Sequence, residues 1–221
     1  MSDSEAELKR QDEAAREAVR QLRQEITRAD PDTLRLLVTE ARTHYGWQDR
    51  DVSDETLREL YDIAKMAPTS MNQQPMRLVF VKSAAAKAKL EPTLSEGNKP
   101  KVKAAPVTAI IAHDLEFYER LPEVFPPNPK AREVYAGQDA MVAEHAFRNG
   151  TIQGAFLIIA ARALGLDCGP MSGFSAAAVD DAFFAGTKIK TNFLCNIGYA
   201  DESKIFRRLP RLDFDVVASI V

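Results

Sequence analysis

Arg42 and Thr43 put a guanidinium fork beside a hydroxyl where a helical pattern ends, a pair suited to a phosphate monoester. The same arginine would also be at home as a cation at a helix C-terminus, so spacing alone leaves both readings open. Loop 68–75 opens with Pro68 and Thr69 and then concentrates Ser70, Asn72 and Gln74. Such groups donate and accept hydrogen bonds, as a heteroaromatic ring bearing carbonyls and an imide nitrogen requires. A turn held by side-chain to backbone bonds would use the same residues. Two more polar segments, 97–101 and 169–174, stand where periodic elements end, the usual place for binding groups on a rigid scaffold. In the second of these, Gly173 suits either close approach of a ligand to the backbone or a positive-φ turn.

Other chemistries find little support. There is no GxGxxG and no GxxxxGK[ST], hence no sign of a Rossmann dinucleotide site or a P-loop. No carboxylate pair has a spacing that argues for hydrolysis. His44, His113 and His145 are scattered without metal-ligand spacing, and no metal site is expected. Cys168 and Cys195 form no CxxC and read as reduced, buried thiols. A Cys/His dyad stays open, although neither cysteine lies in a recognisable motif. Redox chemistry here would need an organic cofactor.

The 221 residues carry a formal charge of −3, with no basic face for nucleic acid. No apolar run approaches the roughly 20 residues of a membrane span. Residues 1–28 are too polar for a signal peptide, and a cytoplasmic location is expected.

The positioning elements follow from periodicity. Residues 4–29 predict a helix with a narrow apolar stripe of Ala15, Val19, Leu22 and Ile26. Asp30 and Pro31 look like the cap and first position of a second helix, ending near Arg42. Ser53 caps a third helix over 54–66, with Val52 and Leu57 as a hydrophobic staple, and Pro68 lies just past its end. Strands are predicted at 78–81, 107–112 and 193–197, the middle one an almost unbroken apolar run. Ser83 opens a helix through Leu90, residues 95–100 form a turn, and the four prolines within 122–137 mark an irregular excursion. A long helix spans 138–164, apolar on several faces from Ile152 and stopped by Gly165. Loop 169–174 precedes a helix capped by Ser175, and a tail over 202–221 carries Arg207, Arg208 and Arg211. The pattern predicts an α+β or α/β domain over 31–221 with a helical extension at 1–30.

Taken in order, the polar segments resemble the FMN-dependent nitroreductase family. That family has an Arg-Ser-type pair for phosphate and a segment like Pro-Ser-x-x-Asn-x-Gln-Pro along the flavin. Arg42-Thr43, with His44 adjacent, and Pro68 through Pro75 stand in those places. Asn98 and Lys101 match a loop near the ribityl chain. Pro170, Met171, Ser172 and Gly173 match a Pro-x-x-Gly-Phe loop whose backbone faces the central ring, and Arg211 falls near a second phosphate contact. The resemblance runs from Asp32 to Val221. It implies an α+β fold with a mostly antiparallel central sheet flanked by helices, in an intertwined homodimer. FMN would lie at the dimer interface, with NADPH or NADH as reductant and ping-pong hydride transfer at the flavin N5; no dedicated catalytic side chain is assigned. Within the family, EARTH at 40–44, FYERLP at 117–122, GPMSGF at 169–174, VDDAFFAG at 179–186 and RLPRL at 208–212 are most similar to one subgroup. This is the malonic semialdehyde reductases of pyrimidine degradation, which make 3-hydroxypropionate. Broad nitroreductase or quinone reductase activity, or flavin binding without turnover, are the alternatives. Tyr45, Ser172 and Met76 stand where many relatives have a basic residue, an acidic residue and a tryptophan.

Overall fold

The structure, a computed structural model, describes residues 3–221, with side chains from residue 6 onward. It divides into two compact units between Ala41 and Arg42.

In the first unit, helix α1 (Asp3–Glu25) is built from strong helix formers and ends short of the expected residue 29. Glu7–Arg10 and Glu17–Arg20 pairs lie along it, too exposed to add much stability. Its stripe of Val19, Leu22 and Ile26 is more than half exposed. Asp30 caps α2 (Pro31–Leu34) by accepting from the Asp32 and Thr33 amides. The expected single helix to Arg42 instead widens into a π-helical turn, Arg35–Thr39, closed by the Glu40 amide on the Arg35 carbonyl.

The second unit contains α3 (Asp54–Ala64), β1 (Met76–Val81), α4 (Ala84–Leu90), α5 (Lys99–Ala104) and β2 (Val107–Asp114). It continues through α6 (Leu121–Val124), α7 (Ala131–Tyr135), α8 (Asp139–Ala163), β3 (Asp167–Met171), α9 (Ala176–Phe183), β4 (Ile189–Gly198) and α10 (Phe214–Val217). The strands form one antiparallel sheet in the order β1-β2-β4-β3. The fold is α+β, as expected.

Strand alternation sorts two cores. Val107, Ala109 and Ile111 of β2 pack with Leu57, Leu60, Leu157 and Ala161 of α3 and α8 on one face. Ile110 and Ala112 pack with Leu90, Val102 and Val179 on the other. A central strand buried on both faces explains the unbroken apolar run at 107–112.

Three segments were less regular in sequence than in structure. Residues 169–171, expected as loop, belong to β3. Pro170 has no amide to donate, which an edge strand tolerates. The turn at 95–100 runs into α5, and the proline-rich excursion folds into α6 and α7. There Phe117, Leu121 and Tyr135 pack against Val142 and Ala146 of α8.

Helix α8 can lie close to the sheet because Gly150 faces it. A Cβ there would stand 2.9 Å from the Cβ of His113 on β2, an atom close to the backbone that cannot swing away. Gly150→Val is expected to cost about 2 kcal/mol by overpacking. The melting temperature should then fall by about 4–8 °C in a chain of this size, measured by thermal unfolding.

Candidate functional site

Three of the four polar segments meet along the β3 side of the sheet. Segment 42–48 lies beside β3: Thr43 bridges Cys168 in parallel, and the His44 amide donates to the Cys168 carbonyl at 3.0 Å. Gly169 makes this possible, since a Cβ there would sit 2.5 Å from the His44 carbonyl oxygen. The His44 ring reaches Asp167, Nε2 to Oδ1 at 3.2 Å, while the Ala200 amide donates to Asp167 Oδ2 at 2.8 Å. His44 therefore anchors the segment to β3.

Arg42 donates to the Phe206 carbonyl, and the Tyr45 ring meets Phe206 edge-on at 5.4 Å. Lys101 Nζ lies 5.1 Å from the centre of the Tyr45 ring and donates to Asn98 Oδ1 at 3.0 Å. Asn98, buried, donates in turn to the Gly173 carbonyl at 3.0 Å. The missing side chain of Gly173 leaves room for Asn98 Nδ2 and Ser95 Oγ, so its glycine is explained by packing within the chain. Pro170 and Ser172 are exposed and Met171 is half-buried. Arg211, also exposed, donates to the nearby Leu209 and Pro210 carbonyls at 3.0 and 3.3 Å.

The fourth segment lies elsewhere. Residues 68–75 lead into β1, the opposite edge of the sheet, three strand spacings or about 14 Å from β3. Met71, Asn72 and Gln74 have φ of 49°, 52° and 45°. None is glycine, and each such residue costs about 1–3 kcal/mol and persists only where its surroundings hold it. Thr69 Oγ1 accepts from the Gln74 amide at 3.3 Å, and Asn72 Nδ2 donates to the Val124 carbonyl at 2.7 Å. The Ser70 and Met76 amides donate to Asn149 and Gln153 of α8. Gln73, not among the candidates drawn from sequence, is buried at the centre of this arrangement. Of two adjacent glutamines, only packing reveals which is inside.

The cluster at β3 joins a guanidinium, an ammonium, an exposed hydroxyl and several amides. Arg42 and Lys101 bond to uncharged oxygens, which leaves both cations able to take an anion. This donor set fits a phosphate and a polar ring. The Cys195 thiol is pushed far above its usual range by its bond with Cys168 and by burial, so it stays protonated and is no nucleophile at neutral pH. Among the described residues, no group of His, Cys, Asp and Glu could hold a metal ion, and no helix is long and apolar enough to cross a membrane.

The sequence profile of the nitroreductase family matches residues 38–199. A Burkholderia lata protein provisionally named NADH dehydrogenase/NAD(P)H nitroreductase is 54% identical over 195 residues, covering 88% of this chain and 100% of that protein. Two solved structures share the fold. One, from Bacillus subtilis and provisionally named a nitroreductase, has a TM-score of 0.77 at 20% identity and covers 84% of this chain and 97% of its own. The other, from Exiguobacterium sibiricum and provisionally named likewise, was solved in complex with FMN. It has a TM-score of 0.75 at 20% identity, covering 88% of this chain and 99% of its own.

Two outcomes follow from the anchoring of segment 42–48. Gly169→Ala should push the His44 carbonyl off β3, and hydrogen exchange at the His44 amide should quicken at least about tenfold as local opening becomes easier. Burial pushes the Asp167 carboxyl up, but the bonds from His44 and the Ala200 amide outweigh it and hold the group below its usual range. A depressed carboxylate stabilises the fold above the unfolded value, about 3.9, and loses that contribution as pH falls through the folded value. Wild type should therefore exceed Asp167→Asn by about 1 kcal/mol at neutral pH, a figure discounted for partial exposure. The difference should shrink on acidification below the unfolded value, as thermal melts across that range would show.

Proposed function

The chain belongs to the nitroreductase family, and from that membership we propose an FMN-dependent NAD(P)H oxidoreductase that works as a homodimer with its sites shared between two copies. The observation that carries the shared site is the separation of its parts. Segments 42–45, 98–101 and 170–173 converge at the β3 edge, while 68–75 lies at the β1 edge of the same sheet. A second copy related by a twofold axis would bring its 68–75 loop to the first copy's cluster, and the reverse. Exposed Ile152 and Phe156, one turn apart on α8, and exposed Phe206, Leu209, Leu212 and Phe214 in the tail support association, since a partner would remove this apolar surface from water.

In this reading Arg42 and Thr43 hold the phosphate beside His44, and Arg211 adds a second cation from the tail. Lys101 and Asn98 border the ribityl chain. The backbone of Pro170, Met171, Ser172 and Gly173 lines the ring. After Pro68, which opens the loop, Thr69, Ser70, Asn72 and Gln74 would supply hydroxyls and amides toward the ring's polar edge. Bound FMN supplies a two-electron carrier that accepts hydride from nicotinamide and gives it to substrate. One open site serving both reactants would give ping-pong kinetics.

The runs at 40–44, 117–122, 169–174, 179–186 and 208–212 support malonic semialdehyde as substrate. Hydride would add to its aldehyde carbon and a proton to the oxygen, giving 3-hydroxypropionate. The exposed Tyr45 hydroxyl or water would supply the proton. The name of the Burkholderia lata relative favours a second reading, NAD(P)H-dependent reduction of nitro compounds; quinones are a further alternative.

An anaerobic absorbance titration of the purified protein tests these readings in order. Flavin bands that bleach with NADPH or NADH and recover with malonic semialdehyde are expected. Recovery with nitroaromatics or quinones alone would replace the substrate, and bands inert to both nucleotides would leave a flavin-binding protein without turnover. A protein colourless even after FMN reconstitution would sink the cofactor reading. Arg42→Ala should raise the Kd for FMN about tenfold or more, through loss of a charge-assisted bond worth about 1.5–3 kcal/mol.

A further inference from the structure

Helix α8 carries three polar side chains at successive fourth positions, His145, Asn149 and Gln153. This spacing puts them on one face. Asn149 and Gln153 are each 3% exposed, and burial of an amide is unfavourable unless its hydrogen bonds are made. The bonds they make converge on one short segment. Asn149 Oδ1 accepts from the Ser70 amide at 2.9 Å, and Gln153 Oε1 accepts from the Met76 amide at 2.9 Å. These two anchors bracket the positive-φ residues Met71, Asn72 and Gln74.

The middle of the loop is held as well. Asn149 Nδ2 donates to Gln73 Oε1 at 3.0 Å and to the His145 carbonyl at 2.8 Å. Gln73 Nε2 donates to the Tyr135 hydroxyl at 2.5 Å and lies 3.2 Å from His145 Nδ1. Burial pushes the Tyr135 hydroxyl above its usual range, with the bond from Gln73 acting the other way, so the phenol stays protonated. An apolar stripe would pack a helix on a sheet equally well. These amides are explained by the loop they hold, whose backbone would otherwise relax out of the left-handed region.

We propose that Asn149, supported by Gln153, Gln73, Tyr135 and His145, is a positioning residue that presets loop 70–74 in its binding shape before the cofactor arrives. The inference rests on the FMN reading and deepens it. Flavin affinity would depend on a buried helix face acting through the loop, because a preset loop needs no ordering on binding.

The test compares Asn149→Ala with Leu157→Ala, which trims a buried apolar contact between the same helix and the sheet. Both variants should melt below wild type. Only Asn149→Ala should speed hydrogen exchange of the 70–76 amides in flavin-free protein, and only it should raise the Kd for FMN at least tenfold. Unchanged exchange in Asn149→Ala, or matching losses of affinity in both variants, would overturn the proposal. Faster exchange with unaltered FMN affinity would also overturn it, leaving Asn149 a purely structural residue. Failure of the cofactor reading would appear separately, as wild-type protein that takes up no FMN.

Discussion

Helix α8 has to satisfy three surfaces at once, and the arrangement of the second unit depends on how it does so. Toward the sheet it presents Gly150 and Gly154, small enough for a close approach, with Leu157 and Ala161 filling the core beside them. Toward the loop before β1 it presents amides, and that approach brings them within hydrogen-bond distance of backbone groups. Away from the sheet Ile152 and Phe156, one turn apart, remain exposed. Because the three faces share one rigid rod, a shift that relieved one would disturb the others. Interiors packed at crystal-like density transmit such strain.

A second constraint acts at β3. Segment 42–48 approaches this edge strand so closely that a Cβ at residue 169 would meet the His44 carbonyl oxygen, and Gly169 leaves that space free. The same contact shields part of the edge, which would otherwise be open to pairing with another chain. Its outcome is chemical as well as architectural. Arg42, Phe206, Tyr45, Lys101, Asn98 and Gly173 become a continuous chain of contacts drawn from four distant stretches of sequence. Both cations in it bond to neutral oxygens, which preserves their charge for a ligand.

The two edges of the sheet thus differ in kind. At β3 the chain gathers cations and amides; at β1 it holds a strained polar loop fixed from behind by a buried network. The separation of these two sets of polar groups on opposite edges, together with exposed apolar surface on α8 and the tail, is the basis for proposing a site shared between two copies.

Much of the architecture was legible in sequence because its causes are local. Asp30, Ser53, Ser83 and Ser175 cap helices as their side chains predict, each bonding to an amide two or three residues on. The strand at 107–112 and the helix from about 138 to 164 follow from the periodicity of apolar residues. The four polar segments could likewise be picked out as interruptions of that periodicity. What the sequence did not disclose is how those segments are distributed over the fold, that β3 runs through a Gly-Pro pair, or that Gln73 is buried beside Asn149. Capping and periodicity are decided by neighbours a few bonds away. Close approach, burial and the edge to which a loop is assigned depend on residues such as Gly150 and His113, which meet only once the sheet has formed and the helix has settled on it.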